Sequence, residues 1–319
     1  MHRFGVLTTA LSLLAAAPAQ GPPDPGLELT LAIEGRALQM VGTISDVDVL
    51  ADGRIALLDH DAMRVAIFTS QGAFERWLDL PRGTPPSGLF LTRLAALPEG
   101  GLVLPDGEGN RFFFYDRDLR PGPPVPFGIA ILSLNGLARH PAGGDLYLVG
   151  YSPDNGRILH RYDASGRHLG SAVAGLDLPE QDQGLSTGHV AVDPADGSLW
   201  LSRLTPYEIL HLSPEGDLLQ EPIRMDTGSL PRRESVGPGL YRLGGFHTAL
   251  KLAVIGGEVV GSYLTEDGRT AADVFRRDGS LARAGLTAAD PRALAKRLEN
   301  GAYVRHFNRE RRVELWRMP

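Results

Sequence analysis

The sequence predicts an all-β protein that folds as a six-bladed β-propeller, and three observations support this fold class. Glycine (39 residues) and proline (24) are frequent among the 319 residues, which is typical of many tight turns between short strands. Turn glycines recur along the chain at intervals of 44 to 60 residues. The last repeat is incomplete, and a strand that belongs to no repeat lies near the start of the chain.

The first repeat, from Val47 to Trp77, shows the pattern most clearly. Its sequence, VDVLADGRIALLDHDAMRVAIFTSQGAFERW, divides into four strand-length runs separated in order by an Asp-Gly turn, a short loop and a Gln-Gly turn. Glycine supplies the positive φ that two-residue hairpins need, so the repeat predicts four antiparallel strands joined by hairpins. Such a unit is one propeller blade.

The same order of strands and turns recurs in five further repeats. The glycines of the inner turns are Gly53, Gly100, Gly144, Gly197, Gly257 and Gly301. The glycines of the outer turns are Gly72, Gly166, Gly216 and Gly279, each 19 or 22 residues after its inner-turn glycine. In the second repeat Asp118-Leu119 stands at the corresponding place. A constant spacing within a variable period indicates regular hairpins with variable loops between blades.

The two ends of the chain predict how the ring closes. The sixth repeat stops after the alternating strand from Arg312 to Trp316 and lacks its fourth strand, while Leu27 to Ile33 forms an isolated strand. We expect this N-terminal strand to become the outer strand of the last blade, which removes an exposed sheet edge. The segment 290–301 is compatible with a capped helix or with an inner strand, and the register of the following hairpin favours the strand.

The N-terminal segment, residues 1–19, is typical of a secretory signal peptide. Arg3 precedes a short apolar stretch, and Ala17-Pro18-Ala19 offers a small-x-small cleavage site. The apolar stretch is shorter than a membrane span requires. We therefore expect a periplasmic or secreted protein whose residues 20–319 form a single propeller domain. The chain contains no cysteine, so its stability cannot depend on disulfides.

The segment ADGRIALLDHDAMRVAIFTSQGAF resembles the NHL-type repeat of six-bladed propellers. The chain is also similar to exported bacterial propellers of the NHL-repeat and TolB-like kind. The resemblance covers the mature chain in spacing, but the fifth and sixth repeats depart from the pattern. It implies a six-bladed fold and does not imply one function, because propellers carry unrelated activities.

The charge balance excludes one class of partner. The formal net charge is −6 and the sequence has no basic block, so nucleic-acid binding is not expected. We expect a monomer that binds a protein, peptide or glycan, with no membrane span. The sequence identifies neither a cofactor nor a metal site.

Polar residues at the channel end of the strands are the candidate ligand site. In a propeller the start of each inner strand and the end of each second strand lie on one face, around the central channel. The expected site residues at the channel mouth are Asp46, Asp59, Arg93, Asp106, His189, Arg203, Tyr263 and His306. Alternatively, these side chains pair with one another in a channel that binds nothing.

Two catalytic alternatives are weaker. A lactonase-like hydrolase or lyase would hold a divalent ion through Asp46, Asp59 and Asp106, but Arg93 and Arg203 fall on the same face. The Gly184–Gly188 segment matches G-x-S-x-G, but strands follow it instead of the helix that a nucleophile elbow needs. His160 and His211 have equivalent places in the third-strand sequences RILHRY and EILHLS, where we expect them to face solvent. The long loop from Leu218 to Thr248 is a further place for recognition.

Overall fold

The computed structural model describes residues 27–79, 89–178, 180–204, 207–224, 232–237, 240–244, 248–265, 269–290, 292–298 and 301–318. Within them, six four-stranded antiparallel sheets form a ring, which confirms the six-bladed propeller. The predicted signal segment, residues 1–19, and the proline-containing stretch 80–88 lie outside the described residues. No helix of the described residues is long and apolar enough to cross a membrane.

The strands follow the predicted repeats in chain order. The first elements are β1 (Glu28–Glu34) and a 3₁₀ helix (Gly35–Leu38). Blade 1 contains β2 (Ile44–Val49), β3 (Ile55–Asp59), β4 (Arg64–Phe68) and β5 (Phe74–Trp77). Blade 2 contains β6 (Ala95–Ala96), β7 (Leu102–Asp106), β8 (Arg111–Tyr115) and β9 (Val125–Pro126). Blade 3 contains β10 (Leu132–Arg139), β11 (Leu146–Ser152), β12 (Arg157–Tyr162) and β13 (His168–Ala174).

The second half of the chain repeats this plan with one insertion. A 3₁₀ helix (Glu180–Ser186) leads into blade 4, which contains β14 (Gly188–Val192), β15 (Leu199–Arg203), β16 (Glu208–Leu212) and β17 (Ile223–Arg224). The inserted hairpin is β18 (Arg232–Gly237) and β19 (Leu240–Gly244). Blade 5 contains β20 (Thr248–Ile255), β21 (Glu258–Leu264), β22 (Thr270–Phe275) and β23 (Leu281–Thr287). Blade 6 contains β24 (Lys296–Arg297), β25 (Tyr303–Phe307), β26 (Arg312–Arg317) and β1.

The N-terminal strand closes the ring as the sequence predicts. β1 pairs antiparallel with β26, from Glu28 opposite Arg317 to Glu34 opposite Arg312. Ile33 is buried in an apolar cluster that contains residues of both blade 1 and blade 6. Asn308 joins the same two blades, since its amide accepts a hydrogen bond from the Ile44 N–H and donates one to the Ile44 carbonyl. Closure therefore combines backbone pairing, apolar burial and a side-chain bridge.

The turn geometry also agrees with the sequence. Gly53, Gly144 and Gly197 have φ of 86°, 74° and 77°, so the predicted positive φ is confirmed. In the second repeat, where the outer turn has no glycine, Leu119 itself adopts φ of 59°. Its side chain is buried in the cluster between blades 1 and 2, so apolar burial offsets the backbone strain there.

Three local interpretations of the sequence are resolved by the structure. The segment 290–301 supplies the inner strand β24, as the hairpin register favoured. In the G-x-S-x-G segment the Ser186 hydroxyl is buried and donates to the Gln183 carbonyl. The expectation that His160 faces solvent is wrong, and His211 is only partly exposed. His160 is fully buried and lies within hydrogen-bond distance of Ser171 and the Gly150 carbonyl, and His211 stacks on Trp200.

Candidate functional site

The six inner strands bring repeat-equivalent side chains together around the central channel. The hairpin registers align Asp46 with Arg93, Gly136, His189, Lys251 and Leu294. Two residues further along each inner strand, Asp48 and Lys296 lie in the same layer as alanines of blades 2, 3 and 4. The upper layer is therefore charged, whereas the lower layer is mostly small and apolar.

Asp46 is the central group of the upper layer. The residue is 1% exposed, and Oδ2 accepts hydrogen bonds from Lys296 Nζ and from the Leu94 N–H, each at 3.0 Å. Lys251 Nζ lies 3.8 Å from Oδ1. Burial by itself would raise the pKa of Asp46, but the charges of Lys296, Lys251 and Arg93 hold it well below its usual range. Asp46 is therefore ionised.

Charged side chains also complete the hydrogen bonding of a short inner strand. Along the channel edge of β6, the Leu94 N–H donates a hydrogen bond to Asp46 and the Ala96 N–H donates one to Asp48. Lys296 donates to the Leu94 carbonyl, and Arg139 donates to the Ala96 carbonyl. Because buried backbone groups need partners, these four side chains have a structural role in addition to any role in binding.

Arg93 and two histidines complete the upper layer. Arg93 Nη2 lies 3.4 Å from His189 Nδ1, and Arg93 Nη1 donates to the Thr92 carbonyl at 2.7 Å. Burial lowers the pKa of His189 well below its ordinary value, and lowers that of His306 to about 3. The charges of Arg93 and Lys251 add to both shifts. Both rings are therefore neutral at pH 7.

The resulting site, named here the channel mouth, consists of six side chains: Asp46, Arg93, His189, Lys251, Lys296 and His306. It carries three cationic groups and one carboxylate around a cavity of about 40 Å³. A second cavity of about 90 Å³ continues below it and contains Asp48 and Arg139. The excess of positive charge at the channel mouth suits an anionic group rather than a metal cation.

Two predicted site residues have structural roles at the edge of this face. Asp59 is buried and accepts hydrogen bonds from the N–H groups of Gly42, Asp61 and Ala62. Asp106 is fully buried and accepts hydrogen bonds from the N–H groups of Phe90 and Glu108 and from Arg111 Nε. Each carboxylate ties the end of its second strand to the loops on either side.

Arg203 and Tyr263 are likewise engaged by neighbouring groups, and Arg203 Nη2 also donates to the Ala174 carbonyl of blade 3 at 3.2 Å. Arg203 forms a buried ion pair with Glu208, 2.9 Å from Nε to Oε2. This pair is the charge-reversed counterpart of the Asp106–Arg111 pair, which is also 2.9 Å. The Tyr263 hydroxyl lies 3.4 Å from Asp273 Oδ1.

His306 lies at the channel mouth, but it does not occupy the strand-end position that the sequence predicted for it. Phe307, opposite Arg312, is the counterpart of Asp59, which is opposite Arg64. His306 is therefore one residue before the predicted strand end. At the same register in blades 4 and 5, Ser202 and Ser262 pair with His189 and Lys251. The His306 ring lies within reach of the charges of Asp46, Arg93, Lys251 and Lys296, which all act on its pKa.

Lys251 and Lys296 are not among the site residues predicted from the sequence. The register of the inner hairpin would have identified Lys251, because it is the fifth-repeat equivalent of Asp46. Lys296 lies in the segment 290–301, where the sequence is compatible with a helix as well as with the inner strand that the structure shows. In the described part of the chain, no group of three or more His, Asp or Glu side chains is arranged to hold a metal ion.

Comparison with known proteins supports the fold. No family model and no curated protein matches the sequence. Among solved structures, an inactive variant of virginiamycin B lyase from Staphylococcus aureus, solved with quinupristin, has a TM-score of 0.53 at 12% identity, covering 92% of this chain and 100% of that chain. A Bacteroides fragilis protein whose description suggests export has a TM-score of 0.55 at 10% identity, covering 93% and 96%.

A third similar structure comes from a different functional class. A Thermus thermophilus protein assigned as a glucose dehydrogenase has a TM-score of 0.53 at 15% identity, covering 92% of this chain and 99% of that chain. These similar structures include a lyase, an oxidoreductase and a protein with no stated activity. At such low identity they share the six-bladed fold with this chain, and the fold does not select among their activities.

Proposed function

We propose that this chain is an exported binding module that holds an anionic group of its ligand at the channel mouth. The observation that carries the proposal is the charge of that site. Arg93, Lys251 and Lys296 surround one ionised carboxylate, and two neutral histidines complete the wall. The site therefore keeps a positive excess that a ligand anion can neutralise.

A carboxylate on a peptide or a glycan fits this site best. Arginine presents donors in a planar fork that matches a carboxylate, and the Lys251 ammonium supplies a second positive group. The cavity of about 40 Å³ gives room for one such group and not for a whole sugar or residue. The rest of the ligand would then lie above the channel on the surrounding loops.

The hydrolase alternative receives less support from the site. It requires carboxylates that can hold a divalent cation, whereas Asp59 and Asp106 are engaged by backbone N–H groups. Asp46 is bonded to Lys296 and to the Leu94 N–H. The export part of the proposal rests on the signal-like sequence of residues 1–19.

The proposal is tested by titrating the protein with acetate, lactate, galacturonate and diglycine, with chloride as the reference salt. We expect at least one carboxylate to bind by isothermal titration calorimetry. Binding should weaken at least about tenfold in Arg93→Met and Lys251→Met, the loss expected when a charged hydrogen-bond partner is removed. Arg120→Met, at an exposed arginine, should bind like the parent. Equal binding by all four proteins, or by none, would contradict the proposal.

A further inference from the structure

Lysine is rare in this chain, and both lysines lie at the central channel. Of 32 basic residues, 30 are arginine and only Lys251 and Lys296 are lysine. Both lie at the channel mouth, on the inner strands of blades 5 and 6. Everywhere else on this protein the positive charge is supplied by arginine.

A channel that needed only positive charge could use arginine there as well, as it does at Arg93. Lysine differs from arginine in its chemistry, because its primary amine can lose a proton in a buried site and then acts as a nucleophile. Arginine stays protonated in proteins and therefore offers no free amine to a carbonyl carbon. The placement of both lysines therefore indicates a role for an amine.

The two amines have different surroundings. Lys296 Nζ donates to Asp46 Oδ2 and to the Leu94 carbonyl, each at 3.0 Å, and lies 3.6 Å from Asp48 Oδ2. These contacts hold it in place. Lys251 Nζ lies 3.8 Å from Asp46 Oδ1, so its amine is held less tightly. Its side chain is 17% exposed and lines the cavity of the channel mouth.

Charge and burial both favour the neutral form of Lys251. Burial lowers the pKa of Lys251 to about 8, and the positive charges of Arg93 and Lys296 act in the same direction against the opposing charge of Asp46. At pH 8 about half of the amines carry a free electron pair. Desolvation next to other cationic groups is a recognised way of activating a lysine amine.

We infer that Lys251 captures a small 2-oxo acid as a Schiff base at the channel mouth. The inference rests on the proposed function, because the acid's carboxylate would take the anion position beside Arg93. The amine electron pair forms a bond to the carbonyl carbon, and a nitrogen-bound proton moves to the oxygen. The resulting carbinolamine then loses water to form the C=N bond. Amine and carbonyl give imine and water, so no oxidant or reductant is needed.

The experiment uses reductive trapping. The protein is incubated at pH 8 with pyruvate or glyoxylate and sodium cyanoborohydride, which reduces an imine to a stable secondary amine. The products are mapped by peptide mass spectrometry. Because the chain has two lysines, only they and the amino terminus can carry an adduct. We expect the adduct on Lys251 in the parent protein and in Arg120→Met, at an exposed arginine, and its loss in Lys251→Arg.

Two outcomes overturn the inference, and they differ from failure of the proposed function. An adduct confined to Lys296 or the amino terminus, or no adduct at all, shows that Lys251 is not the nucleophile. If lactate, which has no carbonyl next to its carboxylate, still binds in that case, the anion site stands and only the covalent step is wrong. If neither lactate nor pyruvate binds and no adduct forms, both proposals fail. The peptide map of the parent protein decides the question even if a variant does not fold.

Discussion

The ammonium group of Lys251 gives the channel mouth a charge that depends on pH. Its neighbours Asp46, Arg93 and His306 keep one protonation state near pH 8, because Asp46 is already ionised and His306 already neutral at much lower pH, and arginine stays protonated. Burial lowers the pKa of Lys251 to about 8, so its positive charge disappears as the pH rises through that value.

Anion binding at the channel mouth should therefore weaken between pH 7 and pH 9. Calorimetric titration with the carboxylate that binds best at pH 7 measures the effect. The affinity should fall several-fold in the parent, whereas Lys251→Arg keeps its charge and should show a flat profile over this range. A parallel decline in parent and variant would show that another group controls binding.

Asp106 should matter for stability rather than for binding. Asp106→Ala leaves the buried N–H groups of Phe90 and Glu108 and the Arg111 side chain without their acceptor. We expect a loss of about 2–4 kcal/mol in the free energy of unfolding, measured by urea denaturation. The matched control is Asp118→Ala, at an exposed carboxylate that lies 3.7 Å from Arg120, which should cost less than about 1 kcal/mol. Similar values for the two variants would contradict the structural role.

His160 should make the protein less stable in mild acid. Burial lowers the pKa of His160 to about 4 from 6.5, so between these values the unfolded chain binds a proton that the folded chain does not. Stability is then complete above pH 6.5 and falls as the pH drops towards 4. Urea midpoints at pH 7 and pH 4.5 should differ less in His160→Gln than in the parent. An unchanged difference would mean that other buried histidines, such as His189 and His306, dominate the acid response.

At the scale of single elements, register decides which side chains share a face. His160 is opposite Leu148, whereas His211 is opposite Trp200 and is the register counterpart of Arg161. The two histidines are one residue apart in register and therefore occupy different faces. In the same way, the register counterpart of Asp59 in blade 6 is Phe307, so His306 lies one residue away from the position that the sequence predicted. Residues that align in the sequences of two repeats can therefore have different surroundings in the folded blades.

The inner turns should be sensitive to any side chain, even where space is available. Gly257 has φ of 83°, and no atom of the described residues lies within 4 Å of the place that an added methyl carbon would take, so Gly257→Ala introduces backbone strain alone. We expect a cost of about 1–2 kcal/mol in thermal or urea unfolding. Gly170 in β13 has equal space but no positive φ, so Gly170→Ala should be neutral or slightly stabilising. Equal effects at both positions would show that the turn geometry is misassigned.

At the scale of the whole molecule, the ring depends on one strand from the far end of the chain. A protein that begins at Val41 lacks β1 and so exposes the edge of β26. It also loses Ile33 from the cluster that joins blades 1 and 6. We expect this shortened chain to aggregate or to unfold at a much lower temperature than the parent.

Adding the missing strand as a separate peptide distinguishes loss of ring closure from a general loss of stability in the shortened chain. A synthetic peptide of residues 27–40 added during refolding should restore part of the stability, and the same peptide with Ile33→Asp should not. Melting of the shortened chain at the parent temperature, without added peptide, would contradict the closure that the pairing of β1 with β26 shows.

Local chemistry was enough to predict the architecture. Hairpin turns need a residue with positive φ, which glycine supplies, and the hairpins of a repeat recur at regular spacing. Gly53, Gly144 and Gly197 therefore indicated the blades directly. The unpaired strand at one end and the missing strand at the other predicted how the ring closes. The turns depend on residues that are close together in sequence, and ring closure follows from counting the strands of each repeat.

The binding site was decided by tertiary structure. Asp46, Arg93 and His189 were predicted because they stand at clear strand starts, but Lys251 and Lys296 join them only through the register of blades 5 and 6. Asp59 and Asp106 look identical to channel residues in sequence, yet their carboxylates are engaged by nearby backbone N–H groups. Whether a polar side chain is available to bind depends on the partners that the folded chain places around it, which are adjacent loop N–H groups for Asp59 and Asp106 and residues of other blades for Asp46.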